Sequence, residues 1–137
     1  MKSEIMKKEI IRIEDVAKPP GPFNHVISAG GFLFLTSQLS ADLKTNKIIP
    51  GDISEQTKRA LENIKFLLEK AGCGMEDIVK VIVYMKDIKD FDKMNEVYRE
   101  YFESGQEPAR VTIQALSPIK SVDIEIEVIA IKREKNI

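Results

Sequence analysis

The sequence contains one cysteine, one histidine and no tryptophan in 137 residues. A single thiol, Cys73, excludes both an internal disulfide and a thiolate metal cluster, and the single imidazole, His25, excludes a metal site built from several histidines. A lone thiol is consistent with the reducing cytoplasm, where we expect the protein to reside. For Cys73 itself, a small half-buried loop residue is the simplest interpretation, because nothing in the sequence links it to a base.

Long apolar runs and an excess of one charge are absent as well. No run approaches the length needed to cross a bilayer, and the N-terminus lacks the apolar core of a signal peptide. Lys and Arg total 21 against 22 Asp and Glu, which gives a formal net charge of −1. We therefore expect neither a nucleic-acid partner nor a membrane partner.

What is present is a pattern of alternating strands and helices. The length and the 43% hydrophobic content predict a single domain over residues 1–137. Apolar and β-branched runs predict strands at 8–13, 25–29, 32–37, 78–85, 108–113 and 122–128. Gly30-Gly31 predicts a tight hairpin between the second and third of these strands, and 42–50 is predicted to be a loop.

Two amphipathic helices are predicted between these strands. Asp52 and Glu55 have the spacing of a capping box, and Gly72 ends the apolar stripe that follows them. A second stripe predicts a helix over 91–104, with Asp90 as its cap and Gly105 as its stop.

The segment 17–23 contains three prolines and a glycine, which exclude a helix and an interior strand. It is either an ordered loop or a flexible linker, and the area that Phe23 has to bury favours an ordered loop.

The order of elements predicts an α+β fold in which both helices cover one face of a mixed sheet. Strand 78–85 is apolar on both of its faces, yet the chain has nothing left to cover the second face. A second subunit would cover it, so we expect a homo-oligomer.

The residues with the most chemistry are Arg110 and the acidic strand that carries Asp123, Glu125 and Glu127. A guanidinium binds a carboxylate through two parallel hydrogen bonds, so Arg110 suits an anionic substrate. A cross-strand ion pair with the acidic strand is the alternative. Because the three acids share one strand face, we expect some to be solvated, paired with cations, or unusually ready to hold a proton. Such a proton-holding acid near water would suit proton transfer.

Motifs along most of the chain resemble those of the reactive-intermediate deaminase family, also called Rid or YjgF. The similarity covers about 18–132 and rests on these motifs: Pro20-Gly21-Pro22-Phe23, Thr36-Ser37-Gln38, Ala71-Gly72, Asp77-Ile78-Val79-Lys80, Asp90-Phe91 with Met94-Asn95 and Tyr98, Pro108-Ala109-Arg110, and Ile124-Glu125-Ile126-Glu127. The resemblance implies a chorismate-mutase-like (YjgF-like) subunit in a homotrimer with clefts at the subunit interfaces. It also implies hydrolysis of 2-imino acids, such as 2-iminobutanoate and 2-iminopropanoate, to 2-keto acids and ammonia, without metal or organic cofactor.

The resemblance further implies roles for individual residues. Arg110 would bind the substrate carboxylate, the backbone of Thr112 would touch the substrate, and Glu125 would orient the attacking water. Asn95 is either a helper near the site or a structural helix residue.

Three positions depart from the family pattern. Phe23 stands where tyrosine is usual, Ser37 where glycine is usual, and His25 where glutamine is frequent. These changes leave the arginine in place but alter the pocket wall, and His25 is either a donor in the cleft or a structural residue. A carboxylate-binding or chaperone-like oligomer without turnover is therefore an alternative to the enzyme. An endoribonuclease, an activity sometimes attached to the family, is disfavoured by the near-zero net charge.

Overall fold

The computed structural model describes residues 6–133 and shows one mixed sheet with two helices. The strands are β1 (Glu9–Ile11), β2 (Val26–Ala29), β3 (Phe32–Gln38), β4 (Ile78–Met85), β5 (Ala109–Gln114) and β6 (Ile124–Ile131). The helices are α1 (Ile53–Lys70) and α2 (Phe91–Arg99), and short 3₁₀ turns lie at Met75–Asp77 and Ile88–Asp90.

The strand order is β1-β2-β3-β6-β4-β5. Strands β4 and β5 are parallel, and every other neighbouring pair is antiparallel. Because β6 is antiparallel to both β3 and β4, these two strands run in the same direction on either side of it. The last strand therefore lies in the middle of the sheet, and the predicted mixed α+β sheet is confirmed.

The β2–β3 hairpin follows from its glycines. Gly30 and Gly31 have φ angles of +58° and +84°, which side chains with a Cβ rarely adopt. Val26 pairs with Leu35 and Ala29 with Phe32 across the two strands. The predicted hairpin is confirmed, and its turn sets the register of the sheet edge.

Helix α1 begins at the predicted capping box. The Asp52 carboxylate accepts a hydrogen bond from the Glu55 backbone at 2.9 Å, and the Glu55 carboxylate accepts one from the Asp52 backbone at 3.5 Å. The helix ends at Lys70, and Gly72 follows with a φ of +84°. Its predicted apolar stripe is buried and includes Ala60, Leu61, Ile64, Leu67 and Leu68.

Helix α2 begins at Phe91 as predicted but ends earlier than predicted. It ends at Arg99 rather than at residue 104, because the backbone tightens there: Glu100 and Tyr101 donate to carbonyls three residues earlier. Asp90 occupies the N-cap position but makes no capping hydrogen bond through its side chain. Asp87 instead accepts from the Lys89 backbone at 2.9 Å and caps the preceding 3₁₀ turn.

The core lies between the helices and one face of the sheet. Alternate residues of the central strands, among them Val81, Val83 and Ile126, are fully buried there. Cys73 is also buried, and its thiol lies 3.5 Å from the Ile131 carbonyl oxygen, consistent with a structural residue. Within residues 6–133 no helix is both long and apolar enough to span a bilayer.

The opposite sheet face, called the open face below, has no element of residues 6–133 packed over it. Its apolar residues include Phe32, Phe34, Val111, Ile113 and Ile131, which are 41–49% exposed. So much clustered apolar area is unusual on the surface of a monomer.

Candidate functional site

Arg110 is held in a fixed position between strand β5 and helix α2. Its Nη1 donates to the Asn95 Oδ1 at 2.7 Å. Its Cζ lies 4.6 Å from the centre of the Tyr98 ring and 5.6 Å from that of Phe91. A guanidinium stacked on two rings and hydrogen-bonded at one edge loses little freedom when it binds an anion. Arg110, Asn95, Phe91 and Tyr98 are called the arginine clamp below.

The clamp is built by one face of α2. Phe91, Asn95 and Tyr98 are spaced by four and then three residues, which places them on the same side of a helix. The sequence predicts a core role for both rings and leaves Asn95 undecided. The core role of the rings is confirmed, since Tyr98 is buried and Phe91 packs against the core. Both rings also contact Arg110, as does Asn95. The shared helical spacing of the three residues is the signal that could have revealed this group.

Thr112 lies on the same sheet face as Arg110, two residues further along β5. Strand β5 is an edge strand paired only with β4, so part of its backbone hydrogen-bonding capacity faces away from the sheet. The Thr112 hydroxyl is buried without a hydrogen-bond partner among the described residues, as is that of Tyr98. Burial, partly offset by Arg110, raises the pKa of Tyr98 to about 12, so this hydroxyl stays neutral.

Glu125 projects from the open face of β6 and contacts a residue of β3. The Ser37 hydroxyl donates to the Glu125 Oε1 at 2.6 Å. A β-bulge produces this contact: Leu35 pairs with Val128 but Gln38 with Ile126, so β3 contains one extra residue there. Both side chains line a cavity of about 210 Å³, called the carboxylate pocket below.

Glu127 of β6 and Asp123, which directly precedes β6, also receive hydrogen bonds from neutral groups. The Tyr84 hydroxyl donates to Glu127, and the Gln56 amide donates to the Asp123 Oδ2 at 2.9 Å. The hydrogen bond to Glu127, followed by burial, raises the pKa of Tyr84 to about 12 and keeps it a donor. The sequence predicts that these acids are solvated, paired with cations or protonated. That prediction is incomplete, because neutral donors form hydrogen bonds to all three carboxylates.

Tyr84 is the residue of this pocket that was missed from the sequence. It is the one hydroxyl-bearing residue in a strand that is otherwise apolar apart from Lys80. That contrast is the signal that could have identified it. Among residues 6–133 no group of His, Cys, Asp and Glu is arranged to hold a metal ion.

The three departures from the family pattern lie together. Phe23, His25 and Ser37 all line a second cavity of about 110 Å³, and Phe23 remains 46% exposed. The His25 Nδ1 lies 3.3 Å from the Gln38 amide nitrogen. Burial lowers the pKa of His25, with the Ala17 backbone opposing part of the change, so its imidazole is neutral at pH 7. Ser37 borders both cavities.

The arginine clamp and the carboxylate pocket lie on opposite faces of the sheet. Arg110 is in register with Val81 and Glu125 with Tyr84, and these two β4 residues, three apart, point to opposite sides. Strand β4 also separates β5 from β6. The interpretation of Arg110 as a cross-strand ion pair with the acidic strand is therefore wrong. The candidate residues form two groups: Arg110, Asn95 and Thr112 on one side, and Glu125 and Ser37 on the other. Phe23, from the loop before β2, shares the second cavity with Ser37.

Fold and site together define an α+β protein that carries a preorganised arginine at a sheet edge and a hydrogen-bonded carboxylate on its open face. Residues 14–132 match the family described as Endoribonuclease L-PSP. The chain belongs to this family, which is the Rid/YjgF family that the sequence resembles, so the resemblance is confirmed.

Individual relatives cover almost the whole chain. A RutC family protein of Pyrococcus abyssi is 50% identical over 127 residues, which is 93% of this chain and 99% of the relative. The 2-iminobutanoate/2-iminopropanoate deaminase of Capra hircus is 35% identical, with 93% and 94% covered. The crystal structure of E. coli TdcF with bound serine superposes with a TM-score of 0.80 at 32% identity, covering 91% of this chain and 99% of that one.

Proposed function

We propose that the protein hydrolyses reactive 2-imino acids, with 2-iminobutanoate and 2-iminopropanoate as candidate substrates, to 2-keto acids and ammonia. The observation that carries the proposal is the arginine clamp: a guanidinium fixed by Asn95 and two rings, with no carboxylate as its ion-pair partner among residues 6–133. Such a group is free to bind the carboxylate of a small acid. The deaminase name of the Capra hircus relative supports the same chemistry.

The proposed reaction needs only positioning and proton transfer. Arg110 binds the substrate carboxylate, and the Thr112 backbone orients the substrate beside it. The protonated C=N carbon is already electrophilic, so a water held by Glu125 adds to it and gives a tetrahedral carbinolamine. Glu125 takes a proton from the water and returns it to the nitrogen. The C–N bond then breaks as the carbinolamine hydroxyl loses its proton, first to Glu125 and then to the departing ammonia, which leaves the keto acid and an ammonium ion.

The active site is proposed to form between subunits of a homotrimer. Arg110 and Glu125 cannot meet on one substrate within a subunit, because they project from opposite faces of its sheet. A neighbouring subunit packed against the open face would bring its own β5 edge to the carboxylate pocket. The exposed apolar residues of that face supply the area such an interface needs.

Replacing Phe34 with glutamate is expected to dissociate the oligomer into folded single subunits. Phe34 is 42% exposed on the open face, and burying an unpaired charge at an interface costs several kcal/mol. Size-exclusion chromatography with light scattering measures the assembly, and circular dichroism checks the fold. Ile88→Glu is the matched control and should leave the oligomer intact, because Ile88 is 45% exposed but lies in the turn before α2. An intact trimer of Phe34→Glu would contradict the proposed interface.

Activity is tested by adding the purified protein to threonine dehydratase and following the release of 2-ketobutyrate. The protein is expected to speed this release well above the rate of spontaneous hydrolysis in buffer. Boiled protein and a Glu125→Ala variant are the controls, because the variant lacks the proposed water-holding group. An unchanged rate at every protein concentration would refute the deaminase proposal.

The second candidate function is a carboxylate-binding oligomer without turnover, which the altered wall at Phe23 and Ser37 favours. Calorimetry with 2-ketobutyrate measures binding, and the coupled assay measures hydrolysis. Binding without imine hydrolysis supports this candidate, and hydrolysis excludes it.

Endoribonuclease activity finds little support in a chain of net charge −1. A cytoplasmic location remains a prediction.

A further inference from the structure

The contact between Ser37 and Glu125 joins positions 88 residues apart in the chain. Hydrogen bonds from a hydroxyl to a carboxylate are short and strong, and 2.6 Å is within the usual range. No other hydrogen bond reaches the Glu125 side chain from the residues between 6 and 133. Ser37 is thus the one described group that fixes the orientation of this carboxylate.

The hydrogen bond from Ser37, and not packing, restricts the conformation of the Glu125 side chain. The carboxylate pocket is roomy, about 210 Å³, so packing alone does not restrain the side chain. The hydroxyl of Tyr84, the β4 residue paired with Glu125, donates to Glu127 instead. With Oε1 bound by Ser37, Oε2 remains available to accept a hydrogen bond from water.

We propose that Ser37 is a positioning residue of the active site, which holds the Glu125 carboxylate in the orientation that binds the attacking water. The proposal rests on the hydrolytic function proposed above. It gives a role to the serine that replaces the glycine usual at this position, since a glycine has no hydroxyl to donate. The β-bulge is part of the device, because it aims Ser37 at Glu125 while its neighbour Gln38 points into the core.

Removing the hydroxyl is expected to slow turnover without weakening substrate binding. Ser37→Ala should lower kcat by about tenfold and leave KM within about twofold, since Arg110 still binds the substrate. Ser37→Thr keeps a hydroxyl and should recover most of kcat. In a Glu125→Ala background, Ser37→Ala should cause no further loss, because Ser37 acts only through Glu125.

The matched control is Ser40→Ala. Ser40 is a buried serine three residues away whose hydroxyl donates to the Ile49 carbonyl oxygen at 2.7 Å. Its loss removes another serine hydroxyl hydrogen bond from the same region, one that does not reach Glu125, and should leave kcat unchanged. An equal decrease in kcat for Ser40→Ala and Ser37→Ala would mean that general destabilisation, not positioning, explains the effect, and would overturn the proposal.

Crystal structures of the wild type and Ser37→Ala test the proposal without reference to activity. The Glu125 carboxylate should occupy one conformer in the wild type and should shift or split in the variant. An unmoved carboxylate in Ser37→Ala would overturn the role of Ser37 even if imine hydrolysis is established. Conversely, a wild type without imine hydrolysis but with a displaced carboxylate in the variant would refute the proposed reaction and leave the positioning contact standing.

Discussion

Replacing Arg110 with alanine is expected to lower kcat/KM for imine hydrolysis by about a thousandfold. Truncating one partner of a desolvated, hydrogen-bonded charge pair costs about 4 kcal/mol, and each 1.4 kcal/mol corresponds to a factor of about ten. The clamp strengthens this expectation, because the guanidinium is already oriented by Asn95 and the rings of Phe91 and Tyr98 before substrate arrives. The coupled threonine dehydratase assay measures the loss in kcat/KM, and calorimetry with 2-ketobutyrate measures the loss in binding affinity.

Two further variants make the Arg110 result specific. Arg110→Lys keeps the charge but not the planar fork or the stacking, so about a hundredfold loss is expected. Arg59→Ala removes an arginine from the exposed side of α1 and should have no effect. Wild-type rates in Arg110→Ala would show that the clamp does not bind substrate and would end the proposal built on it.

Mixing two inactive variants is expected to restore about one quarter of the wild-type activity. In the proposed trimeric ring, each shared site would take Arg110 from one subunit and Glu125 from the next. Suppose that Arg110→Ala and Glu125→Ala subunits assemble at random in equal amounts. Each site then has a one-half chance of an intact Arg110 and a one-half chance of an intact Glu125, so about one site in four is complete. Subunits are exchanged by joint unfolding and refolding, and activity is measured before and after.

The control for this experiment pairs Arg110→Ala with the double variant Arg110→Ala, Glu125→Ala. No site in that mixture contains an intact arginine, so activity should stay at the background of the single variants. Activity that remains at background in the first mixture as well, despite mixed trimers seen by native mass spectrometry, would place both residues of each site in one subunit. Such a result would contradict the divided site.

Local patterns in the sequence predicted most elements of the fold. The hairpin at Gly30-Gly31 and the capping box at Asp52 depend on residues a few positions apart, so the sequence contains the complete signal. The predicted end of α2 is wrong because Tyr101 and Phe102 continue the apolar pattern of the helix. They pack against the core from the turn that follows Arg99. Apolar spacing alone does not distinguish a helical turn from a tighter one.

The candidate site was harder to predict because its contacts are long-range. Ser37 with Glu125, Gln56 with Asp123 and Tyr84 with Glu127 are 88, 67 and 43 residues apart. The prediction of Arg110 and Glu125 as facing groups depends on their positions in consecutive strands of the chain. The strand order places β4 between them, and no local pattern encodes that order.

The division of the candidate site between two sheet faces has a consequence for how the activity depends on concentration. In the proposed trimer, an isolated subunit would carry an arginine without its carboxylate and a carboxylate without its arginine, so it would be inactive even while folded. The rate per subunit would therefore fall on dilution as trimers dissociate, while spectroscopic measures of folding stay constant. The amount of protein in the cell then sets not only how many sites exist but whether any site exists at all.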